Sequence, residues 1–498
     1  MKEKVNALAV GWKADKLRGS LMVCWVITVF SSFFGSYLLP IAVPALGSIF
    51  LFRIALPIAA VLYILYAIRE KEAIWRGVSA LEKWCYVFAA VMLVYAAGSL
   101  FRAMDFMRTF RMLFNLCFDM CFFLLMLRLC RDKQMRRVTL YTVAATLAVL
   151  CLLGIYEIFF GGIFSPKYND FKRFEFLGGI YQLPVVSYEN TNDYTSSVVF
   201  SGITLFLSAA VNWKSAGRKL RWGIVAGFSA LYFLSIAGSA RLVLAGFWAV
   251  FIGFTVFLLV SDRKRLWIPL AILVLIAGTQ FGCKYYYISG AIRQYRAQME
   301  EYHNQPENAG QTAPPKFVIN TPTGPSLEEE FFTTNEETGE QILRSDASGG
   351  IRASLLRHAL NCLVYSKGLG VGVGNTSGLC ESWQVMEDGR AWSIHCFIAR
   401  ILADYGIFIL IPLCAIAFLL LKSFLLAFWQ SYKRHDRHVC ALSLLYFLVL
   451  LAYPFLSTSS SDAQDSIAMW IYLAAVVLFS LKLTALGKEE PAIEDTAH

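Results

Sequence analysis

The sequence has little charge for its length. Asp, Glu, Lys and Arg make up 16% of the 498 residues, whereas a soluble globular protein carries about 25%. Apolar runs of about 20 residues recur along the whole chain, and each is long enough to cross the hydrocarbon core of a bilayer. The composition therefore excludes a soluble globular protein and predicts an all-α polytopic membrane protein.

The chain also lacks the motifs of metal-binding, redox and secreted proteins. Its 12 cysteines include no Cys-x-x-Cys pair, and most lie in apolar runs, where a thiol behaves as a small hydrophobic group. The charged N-terminal stretch is not typical of a cleaved signal peptide, because no short apolar segment with a small-residue cleavage site follows it. Cys283 and Cys380 lie in one predicted loop, and spacing alone leaves open whether they form a disulfide.

About twelve apolar segments are predicted to be membrane spans, and the basic residues orient them. The segments are 20–40, 47–68, 84–101, 109–127, 138–160, 191–211, 222–239, 242–260, 266–283, 395–421, 439–456 and 466–481. Alternate connections are rich in Lys and Arg, and with both termini this side holds more than half of the 45 basic residues. The positive-inside rule makes this side cytoplasmic. We therefore expect a multi-pass protein with both termini in the cytoplasm, and the net charge of +10 predicts no nucleic-acid partner.

Two long connections, 161–190 and 284–394, face outward in this topology. Residues 1–283 would hold transmembrane helices 1–9, residues 284–394 a large extracytoplasmic loop, and residues 395–498 transmembrane helices 10–12 and a cytoplasmic tail. The first half of the large loop is rich in Pro, Thr, Asn and Glu, which is typical of an exposed excursion. The second half, "SGGIRASLLRHALNCLVYSKGLGVGVGN", predicts an amphipathic helix along the outer membrane face, followed by a glycine turn.

A small set of polar side chains is expected at the outer ends of helices around this loop. The set is Arg241, Arg352, Arg357, Arg390, Asn192 and His395, with Asp404 deeper in the same segment as His395. Only His358 and His395, of six histidines, fall near the outer surface outside the flexible part of the loop. Taken alone, an interfacial arginine such as Arg241 snorkels to lipid headgroups, and Asp404 pairs with a neighbouring helix. Together the set suits an anionic lipid-linked substrate, because guanidinium groups bind phosphate oxygens and a histidine can accept the proton of an attacking hydroxyl.

Four segments resemble the O-antigen ligase and polymerase superfamily of bacterial envelope glycan assembly. They are "ENTNDYT" with Asn192, "GSARLVLAG" with Arg241, "GIRASLLRHALNCLVYSKGLGVGVGN" with Arg352, and "HCFIARILADYG" with His395, Asp404 and Gly406. The resemblance covers residues 185–410. The chain departs from the family pattern at Cys396, where Asn, Ser or Gln usually follows the histidine, and after Gly406, where a second small residue is frequent.

The resemblance implies a metal-independent, inverting glycosyltransferase of GT-C-like architecture in the bacterial cytoplasmic (inner) membrane, with no cofactor. Its donor would be an oligosaccharide on undecaprenyl pyrophosphate, bound at the outer membrane face. His395 would be the catalytic base. The pyrophosphate would be held by Arg241, Arg352 and Arg357. The site would be supported by Asn192, Asp404 and Arg390.

The motifs leave several activities open. We favour a polymerase that joins repeat units, since the strict His-Asn form is missing and the outer loop is large. A ligase that transfers a finished glycan to a lipid or protein acceptor is the alternative. A transporter or flippase for lipid-linked sugars would suit twelve spans with Asp119 in mid-membrane, although no internal repeat relates the two halves. A non-catalytic envelope scaffold is also open. The expected partners are the lipid-linked oligosaccharide and the bilayer, and a chain-length regulator or a flippase stays open as a protein partner.

Overall fold

A computed structural model describes most of the chain. The described residues are 15–43, 47–71, 77–160, 173–176, 179–182, 184–188, 191–215, 217–237, 240–278, 332–334, 341–343, 347–385, 394, 396–459 and 466–488. Within these ranges the protein is α-helical apart from 3₁₀ turns and three short antiparallel hairpins.

The helices follow one another with short connections. In chain order they are α1 Lys16–Ser31, α2 Leu51–Arg69, α3 Ala80–Ser99, α4 Phe106–Leu129, α5 Lys133–Phe160, α6 Thr191–Val211, α7 Arg218–Ala237, α8 Arg241–Ser261, α9 267–278, α10 Ala347–Tyr365, α11 Asn375–Ser382, α12 Phe397–Tyr405, α13 Leu410–Lys433, α14 Arg437–Ser459 and α15 Ile467–Lys488. The hairpins pair β1 Ile41–Val43 with β2 Gly47–Ile49, β3 Arg173–Phe176 with β4 Gly179–Gln182, and β5 Phe332–Thr334 with β6 Gln341–Leu343.

Nine helices in the described part of the chain are long and apolar enough to cross a membrane. They are α2, α3, α4, α5, α6, α8, α13, α14 and α15. Apolar side chains lie on the outside of the bundle as well as inside, and Val94, Leu152 and Phe418 are 73%, 67% and 63% exposed. Such a surface suits lipid rather than water as solvent. The prediction of a polytopic α-helical membrane protein is confirmed.

Three predicted spans are not among these nine helices. In place of 20–40 the structure has α1, whose 16 residues give a helix of about 24 Å, shorter than the ~30 Å hydrocarbon core. In place of 222–239 it has α7, which begins with basic residues at Arg218, Lys219 and Arg221. For 266–283 the described helix α9 ends at residue 278. The count of about twelve spans therefore stays a prediction.

The predicted span 395–421 is not one continuous helix. Helix α12 ends at Tyr405, Gly406 takes a left-handed φ of +77°, and a 3₁₀ turn at Ile407–Ile409 leads into α13. The apolar run hides this break because hydropathy does not register the backbone conformation of a single glycine. Asp404, expected inside the membrane span, instead lies in the short helix α12 that precedes it.

Helices α8 and α14 pack closely and antiparallel. A Cβ atom placed on Gly246 would lie 2.7 Å from a methyl carbon of Leu456, and one on Gly253 would lie 3.2 Å from a methyl carbon of Leu445. Small residues on one face allow two membrane helices to approach each other. The two contacts place the start of α8 beside the end of α14.

Several described segments between α9 and α13 form a cap on one end of the bundle. We define the cap as α10, the glycine turn 366–374, α11, Ile394 and residues 396–405, and we call the end that it covers the cap end. The Val373 N–H donates to Ser99 Oγ, 3.1 Å away, at the end of α3. The Asn375 side chain donates to the Arg102 carbonyl at 3.0 Å and accepts from the Met104 N–H at 2.9 Å. These bonds fix the cap to the connection between α3 and α4.

Candidate active site at the cap

The glycine turn depends on backbone conformations that favour glycine. Four alternate residues have φ between +79° and +96°, namely Gly368, Gly370, Gly372 and Gly374. A Cβ atom on Gly370 would lie 2.6 Å from the Asp404 carbonyl oxygen, and one on Gly406 would lie 2.6 Å from the Gly368 carbonyl oxygen. The Ile407 N–H donates to that same Gly368 carbonyl at 2.8 Å. The backbone of the glycine turn and the backbone around Gly406 are therefore in direct contact. This contact leaves no room for a side chain at Gly370 or at Gly406.

Backbone hydrogen bonds join the glycine turn to the last residues of α12. The Val371 N–H donates to the Ala403 carbonyl at 2.8 Å, and the Gly372 N–H donates to the Asp404 carbonyl at 3.0 Å. The last carbonyl groups of a helix lack partners within the helix. The glycine turn supplies those partners, so α12 ends where it does because the turn lies against it.

A chain of buried polar groups connects α10, α11 and α12. The Asp404 carboxylate is fully buried, and its Oδ1 accepts from Thr376 Oγ1 at 2.9 Å. Arg400, 3% exposed, places its Nε 3.6 Å from Asp404 Oδ2. His358, 1% exposed, has its Nε2 2.8 Å from the Thr376 carbonyl. Because a carbonyl oxygen only accepts, Nε2 carries the hydrogen, and His358 is occupied in holding α10 to α11.

The cap has its own small apolar core. It consists of Ala359, Cys362, Leu379, Ile394 and Ala403. Burial raises the pKa of the Cys362 thiol to about 12, so this cysteine is an unreactive thiol at neutral pH. Cys380 is also buried, in α11. Cys283 lies outside the described residues, so the disulfide considered from the sequence stays open.

Aromatic contacts place the cap and the first residues of α6 and α8 at the same end of the bundle. Phe397, the first residue of α12, packs against Tyr453 near the end of α14, with ring centroids 6.1 Å apart. The end of α14 in turn lies beside the start of α8. Phe206 and Phe254, each about four turns into its helix, lie 4.8 Å apart, and further along both segments Trp213 lies 6.0 Å from Phe257, so α6 and α8 run parallel. The starts of both helices therefore lie at the cap end.

The residues predicted for the site fall into three groups. Arg241, exposed, is the first residue of α8, and Asn192, partly exposed, is the second residue of α6. Arg352 and Arg357 lie on α10, partly exposed and exposed, while Asp404 is buried in α12. His395 and Arg390 lie outside the described residues. In the part of the chain that the structure describes, no group of three His, Cys, Asp or Glu side chains could hold a metal ion.

Sequence reasoning missed Glu157, near the end of α5. Its carboxylate is fully buried, and Oε2 accepts from the backbone N–H groups of Val185 and Val186 at 2.8 and 2.6 Å. Val186 has φ +50°, a left-handed conformation that is unfavourable for a β-branched residue. Glu157 thus holds in place the short segment that leads toward α6. Nothing in the sequence pairs residue 157 with residues 185 and 186.

Basic residues at the cap end were missed as well. The connection between α3 and α4 and the first turns of α4 carry Arg102, Arg108 and Arg111. We call these three residues the arginine row. A signal was present, because the predicted topology places this connection outside, where short connections carry few basic residues. Arg400, four residues before Asp404, could likewise have been found from its helical spacing to that acid.

The described helices and cap define a polytopic membrane protein with a structured cap at one end of the bundle. No family model matches the chain. Among curated proteins, the chain is similar to the teichuronic acid biosynthesis protein TuaE of Bacillus subtilis (strain 168), with 22% identity over 450 residues. The match covers 86% of this chain and 78% of that protein.

Proposed function

We propose that this chain is a membrane glycosyltransferase that polymerises glycan repeat units carried on undecaprenyl pyrophosphate. The reaction would take place at the outer face of the cytoplasmic membrane, without a metal ion, and would invert the anomeric centre. The distant similarity to a protein of teichuronic acid biosynthesis supports a role in polysaccharide assembly. The resemblance of the four motifs supports the finer assignment.

The observation that carries the proposal is that the cap and the starts of α6 and α8 lie at the same end of the bundle. Helix α12 begins two residues after His395 in the sequence, and its first residue, Phe397, packs on Tyr453 and Trp470 at the cap end. Arg241 begins α8 at this same end. Described residues of all four motifs therefore lie at one end of the bundle, although the motifs are far apart in the sequence, and this supports a shared site.

In the proposed reaction, an acceptor hydroxyl attacks the anomeric carbon of the donor sugar, and the bond from that carbon to the pyrophosphate oxygen breaks. His395 takes the proton of the hydroxyl as general base. Arg241, Arg352 and Arg357 stabilise the negative charge that develops on the leaving undecaprenyl pyrophosphate. Asn192 and Arg390 support substrate placement. Asp404 acts through Thr376 by fixing α12.

The test is complementation of a deletion strain, with surface polysaccharide resolved by gel and lipid-linked intermediates extracted. His395→Ala, Arg241→Ala and Arg352→Ala are compared with wild type at equal membrane abundance. His435→Ala is the matched control, because His435 lies between α13 and α14 at the opposite end of the bundle. We expect the three site variants to accumulate single repeat units on the lipid carrier, with the control unchanged.

Two other outcomes would replace the proposal. Accumulation of full-length polymer on the lipid carrier would identify a ligase, because polymerisation would then have taken place without transfer. Normal surface polymer from all three site variants would show that the catalytic assignment is wrong, and a transporter or scaffold would take its place.

A further inference from the structure

The arginine row lies beside the cap. Arg108 and Arg111 are three residues apart and share one face of α4. Asp105, the one acidic residue in the connection 100–111, uses its carboxylate to cap α4 by accepting from the Arg108 N–H at 3.0 Å. Arg102 and Arg111 are exposed, and Arg108 is partly exposed. The row therefore presents a surplus of positive charge at the cap end.

Helix α11 packs directly against this row. A Cβ atom on Gly378 of α11 would lie 3.8 Å from Arg108 Nη1, so the Arg108 guanidinium group packs over the helix where it has no side chain. Asn375, the first residue of α11, is bonded to the Arg102 carbonyl at 3.0 Å. One flank of α11 thus carries the Arg108 guanidinium group, and Asn375 of α11 fixes the backbone at Arg102.

Two exposed aromatic rings meet beside the C-terminal end of α11, one from Trp383, which follows α11, and one from Tyr365, the last residue of α10. Tyr365, 68% exposed, and Trp383, 38% exposed, lie with ring centroids 5.4 Å apart and nearly perpendicular. We call them the aromatic pair. Trp383 also packs against the buried ring of His358, with centroids 5.4 Å apart, so it is held in place while it stays partly open to solvent. Exposed rings that are rigidly supported can pack against the apolar C–H faces of sugar rings.

We propose that α11, with the arginine row and the aromatic pair, binds an acidic oligosaccharide. Arginine forms paired hydrogen bonds with carboxylates, and aromatic rings accept the faces of the sugars that carry them. Positive charge on an outward connection opposes the positive-inside bias, so the arginine row does not serve as an orientation signal. Glu381 on α11 and Asp105 are the acidic residues of these segments, and the three arginines outnumber them. The proposal rests on the proposed function, and it adds that the glycan handled there carries carboxylates.

The test is a binding measurement with the full chain in nanodiscs, using tetragalacturonate and the neutral maltotetraose as probes. The wild type should bind the acidic probe about tenfold or more tightly than the neutral one at low salt, and added salt should reduce the difference. The Arg108→Gln/Arg111→Gln variant should lose most of this preference. Trp383→Ala should weaken the binding of both probes to the same extent. The control Arg263→Gln/Lys264→Gln removes two exposed positive charges at the opposite end and should bind as wild type.

The competing explanation is that the arginine row contacts lipid headgroups. The two explanations are distinguished by comparing nanodiscs of phosphatidylcholine with nanodiscs of phosphatidylglycerol. The proposal is overturned if wild type shows no preference for the acidic probe. It is also overturned if the double arginine variant changes phosphatidylglycerol association while leaving tetragalacturonate binding intact. Arg108→Lys/Arg111→Lys keeps both positive charges and should retain part of the preference for the acidic probe. This variant controls for the possibility that the glutamine variant loses binding through a folding defect.

Binding of the probes requires no turnover, so the result is separate from the proposed function. His395→Ala should bind tetragalacturonate as wild type does. If it binds normally and the same variant still makes polymer in cells, the proposed catalytic assignment fails while the binding surface stands.

Discussion

The bundle and the cap are held together by different kinds of interaction. In the bundle, apolar and aromatic side chains fill the space between long helices, as in the pairs Phe206–Phe254 and Phe424–Phe447 at 4.8 and 4.7 Å. In the cap, left-handed glycines, backbone hydrogen bonds and the buried Asp404 fix short elements. Apolar packing tolerates many substitutions of similar volume. The cap leaves little such freedom, because its contacts join particular atoms.

The largest effect should follow Gly370→Ala. The new Cβ would meet the Asp404 carbonyl oxygen at 2.6 Å, at a residue with φ +79°. The carbonyl belongs to the backbone, so it cannot move away by side-chain rotation. A left-handed backbone conformation at an alanine costs a further strain of about 1–3 kcal/mol. We expect the cap to open and polymer synthesis to stop, while the chain stays in the membrane. Opening is measured by maleimide labelling of Cys362, followed by peptide mass spectrometry.

The matched control is Gly253→Ala in the bundle. Its Cβ would lie 3.2 Å from a Leu445 methyl carbon and 3.2 Å from the Leu448 Cβ, and these side-chain atoms need to move by only a few tenths of an ångström. We expect little loss of function and unchanged protection of Cys362. If both alanine variants behave alike, the contrast between cap and bundle is wrong.

Asp404→Ala should have the next largest effect. It removes the acceptor for Thr376 Oγ1 and the carboxylate 3.6 Å from the buried Arg400. Removing one partner of a buried ion pair costs about 3–5 kcal/mol. We expect increased Cys362 labelling. Asp404→Asn, which keeps an acceptor for Thr376 and loses the charge, should give an intermediate result. Equal labelling of both variants would contradict a separate role for the charge.

Glu157→Leu should displace the segment before α6. It leaves the N–H groups of Val185 and Val186 without their buried acceptor, and one such loss costs about 1–3 kcal/mol. The readout is alkylation of a cysteine introduced by Ser187→Cys, which should become faster. Glu157→Gln retains an acceptor oxygen and should stay near wild type.

A double variant tests the cause of this effect. If the Glu157 bonds hold Val186 in its strained conformation, Val186→Gly should lower the dependence on Glu157. The alkylation rate in Glu157→Leu/Val186→Gly should then return toward the wild-type rate. Strictly additive effects would show that Glu157 acts elsewhere.

The smallest effect is expected at the opposite end of the bundle, where ion pairs are exposed. Hydrogen bonds from the Arg69 side chain, then from the Arg18 N–H, lower the pKa of Asp15 to about 2 from 3.8. Because the folded pKa is below the unfolded value, this pair stabilises the fold above about pH 4 and stops doing so as pH falls toward 2. Arg69→Gln should raise the Asp15 pKa toward 3.8, as followed by carboxyl NMR, with polymer synthesis unchanged at neutral pH. A pKa that stays near 2 would exclude Arg69 as the main cause.

The bundle was largely predictable from the sequence, and the cap was not. Long apolar runs give each spanning helix its position, since a helix is the one local structure that satisfies its backbone within lipid. The glycine turn was also predicted. The packing of this turn against the end of α12 was not predicted, because the contact between Gly370 and the residues before Gly406 joins segments more than 30 residues apart. Glu157 was missed because its partners Val185 and Val186 also lie far away in the sequence, 28 and 29 residues later.

The central claim is that this chain joins glycan repeat units without a metal ion. The most direct measurement uses the purified full chain in vesicles with a synthetic repeat unit on undecaprenyl pyrophosphate, in the presence of EDTA, with products sized by mass spectrometry. The account predicts a ladder of lipid-linked products that grows by one repeat unit at a time and is absent with His395→Ala. A donor that remains a single unit, while the vesicle-bound protein keeps Cys362 protected, would contradict it.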